Sequence, residues 1–424
     1  MKAVALSGEG GKDEMSSTWT VMVYLAGNNS LSGAANVDLA EMGKVGSSPA
    51  LNVVAFVKRK GPDGTQRMRF GPSGQQHVET IGDKDSGDPK TVYEFLEWGI
   101  TTAPADRYAV VLWNHGGGWE PDDLDQLYSA ARLDTGVTRA ELNHRANEQA
   151  TAHALFTTTA RTILSQPTEG ERQILNDDGT GHSLDTRELG NVLTAVAKDL
   201  GRPVDLLGMD ACLMSTLEVA YEIRDHARVV ACSEELEPGA GWPYDKILGD
   251  LAARPDMDGR ALGEAVVSRY VESYRNLRGQ WPVTQSAIDT AKVPTLATTL
   301  DTLSVALCSV LPQKWDAVLR AHARALHFEG GLVDLSTFCE ELSSSGVGHG
   351  VEAAAGHVVA ALKPVGCVIG EGHLGHRVDR CAGVSVYLPS PDRGISKYYS
   401  DLKFAKKHKW DEFLAAYHDA VRGP

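Results

Sequence analysis

Two residues stand where nucleophilic acyl chemistry needs them. His115 follows the apolar run "RYAVVLWN" (107–114), and Cys212 follows "PVDLLGMD" (203–210) after Ala211. Each run is apolar on both alternating faces, so it reads as a strand buried on both sides, the habit of parallel sheets. A thiolate attacks an acyl carbon, and an imidazole takes and returns the proton. Both side chains then fall at strand ends, where active sites of such folds lie. Beyond Cys212, Leu213, Leu217 and Ala220 recur at helical spacing. That spacing predicts a helix starting at or just after the cysteine, whose dipole would favour the thiolate.

Three glycines follow the histidine. Gly116 is expected to let the backbone approach a substrate carbonyl and adopt a positive φ. The N–H groups of Gly116 and Cys212 are the expected oxyanion donors. Gly117 and Gly118 permit a close turn and carry no chemistry. A single cysteine at a strand end is ordinarily a small core residue, and a single histidine is ordinarily structural. The two strand-end patterns together are more specific than either alone.

Other runs must position these residues. "TWTVMVYLAG" (18–27), "LNVVAFVKR" (51–59), "ARVVACS" (227–233) and "GVSVYLP" (383–389) read as further strands. Asp88 and Pro89 are the expected N-cap and first residue of a helix with Val92, Phe95 and Leu96 on one face. Asp185 and Glu188 make a capping-box pattern before Leu189, Val192, Leu193, Val196 and Leu200. This alternation predicts an α/β fold with a mostly parallel sheet flanked by helices. Residues 1–17 are expected to form a disordered tail. Residues 18–289 form the expected core, interrupted by a helix-prone insertion at 120–182. Residues 290–424 form a mainly helical C-terminal region, whose 383–389 strand is expected to join the core sheet.

The 424 residues include 41 basic and 56 acidic side chains, a formal charge of −15. That balance argues against binding nucleic acid through phosphates. No apolar run in the sequence reads as a membrane span. The N-terminal residues lack the apolar core of a signal peptide, and the scattered cysteines include no CxxC. A reduced, cytoplasmic setting is the expectation.

Several blocks together resemble the clostripain family of cysteine peptidases, within the caspase-like clan. They are "WTVMVYLAGNNSLSG", "LWNHGGGW", "DLLGMDACLMSTLEVAYEI", "ACSEELEPGAGWPY", "GVSVYLP" and "KWDEFLAAY". The resemblance covers roughly residues 18 to 420 and is weakest in 120–180 and 290–380. It implies a caspase/hemoglobinase-like core and a dyad of His115 and Cys212. It also implies that Asp210, two before the cysteine, selects Arg or Lys ahead of the cut. Charge supports this independently, because a carboxylate beside the thiolate can pair with a guanidinium or ammonium. The alternative for Asp210, not exclusive of the first, is to cap the following helix. Protein substrates with exposed Arg or Lys are the expected partners.

Family resemblance also implies a single chain cut between the histidine and the cysteine. Arg132, Arg139, Arg145, Arg161 and Arg172 of the insertion are candidate processing sites, for the enzyme itself or for an activating protease. Glu234 and Glu235 are expected to add negative potential to the pocket, with Trp242 as a wall and Gly239 and Gly241 admitting a substrate strand. The chemistry requires no cofactor. Ca²⁺ stays open as a structural or activating ion for the oxygen-rich "EPDDLD" and "NDDGTG", although neither has an EF-hand spacing. Cys367, His373, His376 and Cys381 match no common zinc spacing, and a loop or hairpin is favoured there. A dormant or non-catalytic caspase-like signalling or binding module is the main competing reading. A lipase or esterase would need a GxSxG elbow, and the sequence has none.

Overall fold

A computed structural model describes residues 17–29, 31–116, 184, 186–275, 282–363 and 365–423. The insertion with its five arginines, the tail 1–16, Gly117, Gly118, Trp119 and Asp185 lie outside the described residues. The chain begins with β1 (Ser17–Gly27), α1 (Ser32–Val45), β2 (Leu51–Arg59), β3 (Thr65–Phe70), β4 (Gln76–Thr80), α2 (Pro89–Thr102) and β5 (Ala105–Trp113). After the insertion come α3 (Thr186–Leu200), β6 (Leu206–Asp210), α4 (Leu217–Ile223), β7 (Val229–Cys232), α5 (Tyr244–Ala253), α6 (Gly259–Arg275) and β8 (Val283–Asp289). The rest holds α7 (Val293–Arg324), β9 (His327–Phe328), β10 (Leu332–Asp334), α8 (Leu335–Ser344), α9 (His349–Leu362), β11 (Val368–Leu374), β12 (Ser385–Tyr387), α10 (Lys403–Lys407) and α11 (Trp410–Arg422).

Nine strands make one sheet, in the order β11-β8-β7-β6-β5-β1-β2-β3-β4. Its centre, from β7 to β2, is parallel. Both edges are antiparallel, through β3 and β4 on one side and β8 and β11 on the other. The expected parallel sheet is therefore the middle of a mixed one. Alternation along β1 explains the two layers. Met22, Tyr24 and Ala26 pack with Phe95 of α2 and Leu193 of α3. Val21, Val23 and Leu25 pack on the other face with Leu39 of α1 and Leu251 of α5. Each such buried side chain is worth about 1.5–3 kcal/mol relative to exposure.

The expected helix caps are present where described. Asp88 accepts the Lys90 N–H at 2.8 Å, ahead of Pro89. Strands at or next to the edges escape an apolar pattern for a physical reason. Every residue of β4 is exposed, and the buried Thr284, Gln285 and Ser286 of β8 satisfy their polarity by hydrogen bonding.

Two expectations need correction. The strand in 383–389 does not join the core sheet: β12 pairs with β10 in a separate three-stranded sheet that also holds β9. It touches the core through an isolated bridge between Ser385 and Thr216. Residues Thr290–Arg324 are also long and apolar enough, by length and composition, to cross a membrane. In this fold Leu296, Leu300, Leu303 and Leu307 of that segment are buried in the core shared with α9 and α11.

Candidate active site

β5 and β6 pair with Trp113 opposite Asp210. The residues that follow each strand therefore leave the sheet side by side, and Asn114 N–H donates to the Asp210 carbonyl at 3.3 Å. His115, Asp210 and Cys212 line one small cleft, with Leu31, Glu237 and Gly241. His115 is 3% exposed and Cys212 is 2% exposed.

Close approach, and not an unusual backbone angle, explains Gly116. A Cβ there would stand 2.1 Å from the Cys212 carbonyl oxygen and 2.8 Å from the Cys212 nitrogen. Gly116 is absent from the residues with positive φ, so that part of the expectation does not hold. The glycine lets the peptide after His115 press against the peptide of Cys212, which brings both expected oxyanion donors into one corner.

The helix expected at Cys212 starts later. Thr216 caps α4, its Oγ1 accepting the Val219 N–H at 3.1 Å. Cys212 lies in the turn before it, where Leu213 takes a φ of 61°. A left-handed leucine costs about 1–2 kcal/mol. It is held by full burial, by its N–H bond to the Glu235 carbonyl at 3.3 Å, and by the Ser215 N–H to the Ser233 carbonyl at 2.8 Å. In place of the helix dipole expected at the thiol, Glu237 N–H points to Cys212 Sγ at 3.1 Å, and the thiol faces the Glu237 carbonyl at 3.8 Å.

Asp210 is buried beside them. Its Oδ2 accepts the Trp242 N–H at 3.2 Å and the Tyr244 hydroxyl at 2.9 Å. Burial pushes its carboxyl up to about 6, against the pull of hydrogen bonds from Glu237, Tyr244 and Trp242. Glu237 is raised well above the usual range by burial and then by Asp210. Burial and the Asp210 charge likewise raise Asp38 of α1. Among the described residues neither Asp38 nor Asp210 forms a salt bridge with a lysine or arginine. Such an arrangement can take an incoming cation.

Glu235 and Trp242 are not among the residues lining this cleft. The Glu235 carboxylate turns back to the Leu236 N–H at 2.9 Å and approaches Arg377 at 3.7 Å. Trp242 lies in the core under the sheet, where its ring takes the space that a Cβ on Gly208 would fill. Gly241, at φ 56°, admits the Asp210 carboxylate: a Cβ there would stand 3.1 Å from both oxygens. Glu237 and Asp38 are the acids that sequence reading missed. Asp38 had a signal, because it shares a buried helix face with Ala34, Leu39 and Met42. Glu237 had none, standing in a loop without periodicity.

The sequence profile of the clostripain family (peptidase C11) matches residues 23–135 and 163–417. This chain belongs to the clostripain family of cysteine peptidases. Clostripain of Hathewaya histolytica is 24% identical over 448 residues, spanning 91% of this chain and 77% of that protein. Two solved structures share the fold. One is a secreted C11 cysteine protease from Bacteroides thetaiotaomicron with an irreversible peptide inhibitor, at TM-score 0.64 and 21% identity over 93% of this chain and 99% of that one. The other is an inactive zymogen C11 protease from Parabacteroides distasonis, at TM-score 0.61 and 19% identity over 92% and 98%.

The segments considered for Ca²⁺ in this clostripain-family peptidase, "EPDDLD" and "NDDGTG", lie outside the described residues. The four residues considered for zinc do not converge. Cys381 instead meets Glu234 and Asp334, and Cys367 Sγ faces the Asp289 carbonyl at 3.8 Å. All six cysteines are free thiols.

Proposed function

We propose that this clostripain-family peptidase is an endopeptidase cutting after Arg or Lys, with Cys212 as nucleophile and His115 as its base. The observation that carries the specificity is Asp210: a buried carboxylate lining the cleft beside Cys212, with no described cationic partner. A substrate guanidinium or ammonium would supply that partner through a charge-assisted contact. An entering cation would favour the ionised forms of both Asp210 and Glu237.

The reaction follows from the same corner. His115 takes the Cys212 proton and the thiolate attacks the scissile carbonyl. Gly116 and Cys212 N–H groups hold the oxyanion, which collapses as His115 hands the proton to the leaving amine. The thioester is then hydrolysed by water, with His115 as base, releasing the acid and the thiol. The dyad itself requires no metal or cofactor. Its substrates are proteins, as the family implies.

We further propose that the chain is made as a zymogen and activated by a cut between His115 and Cys212, at one of Arg132, Arg139, Arg145, Arg161 or Arg172. Cleavage-site profiling on a denatured proteome tests the specificity. Cuts after Arg and Lys that vanish in Cys212→Ala support it, and a profile without basic residues ahead of the cut overturns it. Incubation beside Cys212→Ala tests activation: an intact chain with full activity would sink the zymogen reading.

A further inference from the structure

We propose that Asn114 is the positioning residue of this site, setting His115 against Cys212 by tying three strand ends together. The proposal rests on the dyad reading above.

Backbone groups lose their ladder partners where a strand leaves its sheet, and a buried group must find another. Asn114 supplies these at the ends of β1, β5 and β6. It is 4% exposed. Its Nδ2 donates to the Ala26 carbonyl of β1 at 2.9 Å. Its Oδ1 accepts the His115 N–H at 2.6 Å and the Asn29 amide at 3.1 Å. Its own N–H donates to the Asp210 carbonyl of β6 at 3.3 Å. Asn29 completes the network by donating to the Ala26 carbonyl at 3.1 Å and accepting the Leu31 N–H at 2.8 Å.

The chemistry of the partners picks out asparagine. One end of the side chain must donate, to a carbonyl, and the other must accept, from the His115 N–H. The same requirement fixes which way the amide points. Aspartate would keep the acceptor, lose the donor and place a charge beside the imidazole. Alanine would remove the side-chain acceptor from the His115 N–H and leave the Ala26 carbonyl with the Asn29 amide as its side-chain donor. The His115 backbone is thus held by its preceding side chain, while the strand carrying Asp210 is held by the same residue's N–H. Gly116, pressed on the Cys212 peptide, leaves little slack for His115 to shift without losing the thiol.

The test uses the full chain in its active form, as wild type, Asn114→Ala, Asn114→Asp and His115→Ala. Three quantities are measured: kcat and KM on an Arg-ending fluorogenic peptide, the melting temperature, and iodoacetamide alkylation of Cys212 against pH, located by mass spectrometry. A displacement of about 1 Å can cost on the order of 10²-fold in rate. Asn114→Ala is therefore expected to lose roughly that much kcat with KM little changed, and its alkylation profile should move toward that of His115→Ala. Asn114→Asp is expected to recover part of kcat and to shift the acid limb of both profiles upward, because a carboxylate beside the imidazole raises its pKa. Variants with a lower melting temperature but wild-type kcat and alkylation profiles overturn the proposal and leave the dyad standing. If His115→Ala itself leaves the alkylation profile and kcat unchanged, the dyad reading fails instead. Should Asn114→Ala not fold, Asn114→Asp decides by the same two profiles.

Discussion

Asp210 and Asp334 are both buried aspartates whose carboxyls burial pushes up to about 6, yet they stand in different company. Asp334 ties together parts of the fold. Its Oδ1 accepts the Thr337 N–H at the start of α8 at 2.7 Å, and its Oδ2 accepts the Ala382 N–H at 2.8 Å. The neighbouring Glu234 accepts the Gly383 N–H at 2.8 Å and a hydrogen bond from the Cys381 thiol. This cluster joins the loop after β7 to the C-terminal layer, and none of its members lines the cleft. Asp210 also accepts two internal donors, but it faces the cleft beside Cys212 and Glu237. Similar desolvation is thus offset in two ways. One cluster takes up backbone N–H donors and holds the structure together, and the other faces the cleft with no described lysine or arginine paired to Asp210.

The bluntest way to sharpen that contrast is to remove the chemistry and leave both clusters intact. Cys212→Ala is expected to lower kcat on the order of 10⁶-fold, with the melting temperature little changed. Peptide hydrolysis and calorimetry read both.

Exchanging the two aspartates comes next. Asp210→Asn is expected to cost about 10²–10³-fold in kcat/KM for Arg-ending and Lys-ending peptides, the scale of an unpaired buried charge, with little loss of stability. Asp334→Asn should do the reverse, lowering stability by about 1–3 kcal/mol through poorer satisfaction of two N–H donors, with KM unchanged. Urea unfolding and steady-state kinetics on both variants decide. Equal loss of stability, with basic selectivity kept in Asp210→Asn, would erase the distinction.

A smaller effect is the pH dependence of recognition. Asp210 must be ionised to pair with a cation, and its carboxyl titrates at about 6. For basic peptides kcat/KM should rise as pH increases through that value. Asp210→Asn should remove this limb while leaving any limb set by His115 and Cys212.

The smallest effect concerns stability. Glu218 accepts the Tyr387 N–H and the Tyr399 hydroxyl, and burial raises it from 4.5 to about 7. A carboxyl whose folded pKa exceeds its unfolded value favours folding while protonated. That contribution is full below the unfolded value and is lost as pH rises through the folded one. The melting temperature should therefore fall between pH 4.5 and about 7, and Glu218→Gln should flatten that fall. A decline of equal slope in the variant would remove Glu218 as its cause.

Much of this molecule was legible in the chain because it follows from local periodicity. Continuous apolar runs marked the buried central strands, since helices cover both faces of β1, β2, β5 and β6. Asp88 with Pro89 marked a helix start because capping is a contact within one turn. His115 and Cys212 were recognisable as strand-end residues for the same reason, and the family blocks supported the pair. Other features depend on residues far apart in sequence, and only the tertiary structure decided them. The turn at Cys212 stays open because Leu213 and Ser215 bond to the loop after β7, so the helix waits for Thr216. Glu237 and not Glu235 reaches the cleft, because Arg377 and the Leu236 N–H hold the latter away. Trp242 enters the core because Gly208 leaves room for its ring. β12 pairs with β10 and not with the sheet because β11 already occupies the edge beside β8. Spacing along the chain sets which way a side chain leaves its own element, and what it meets there is set by the packing of the others.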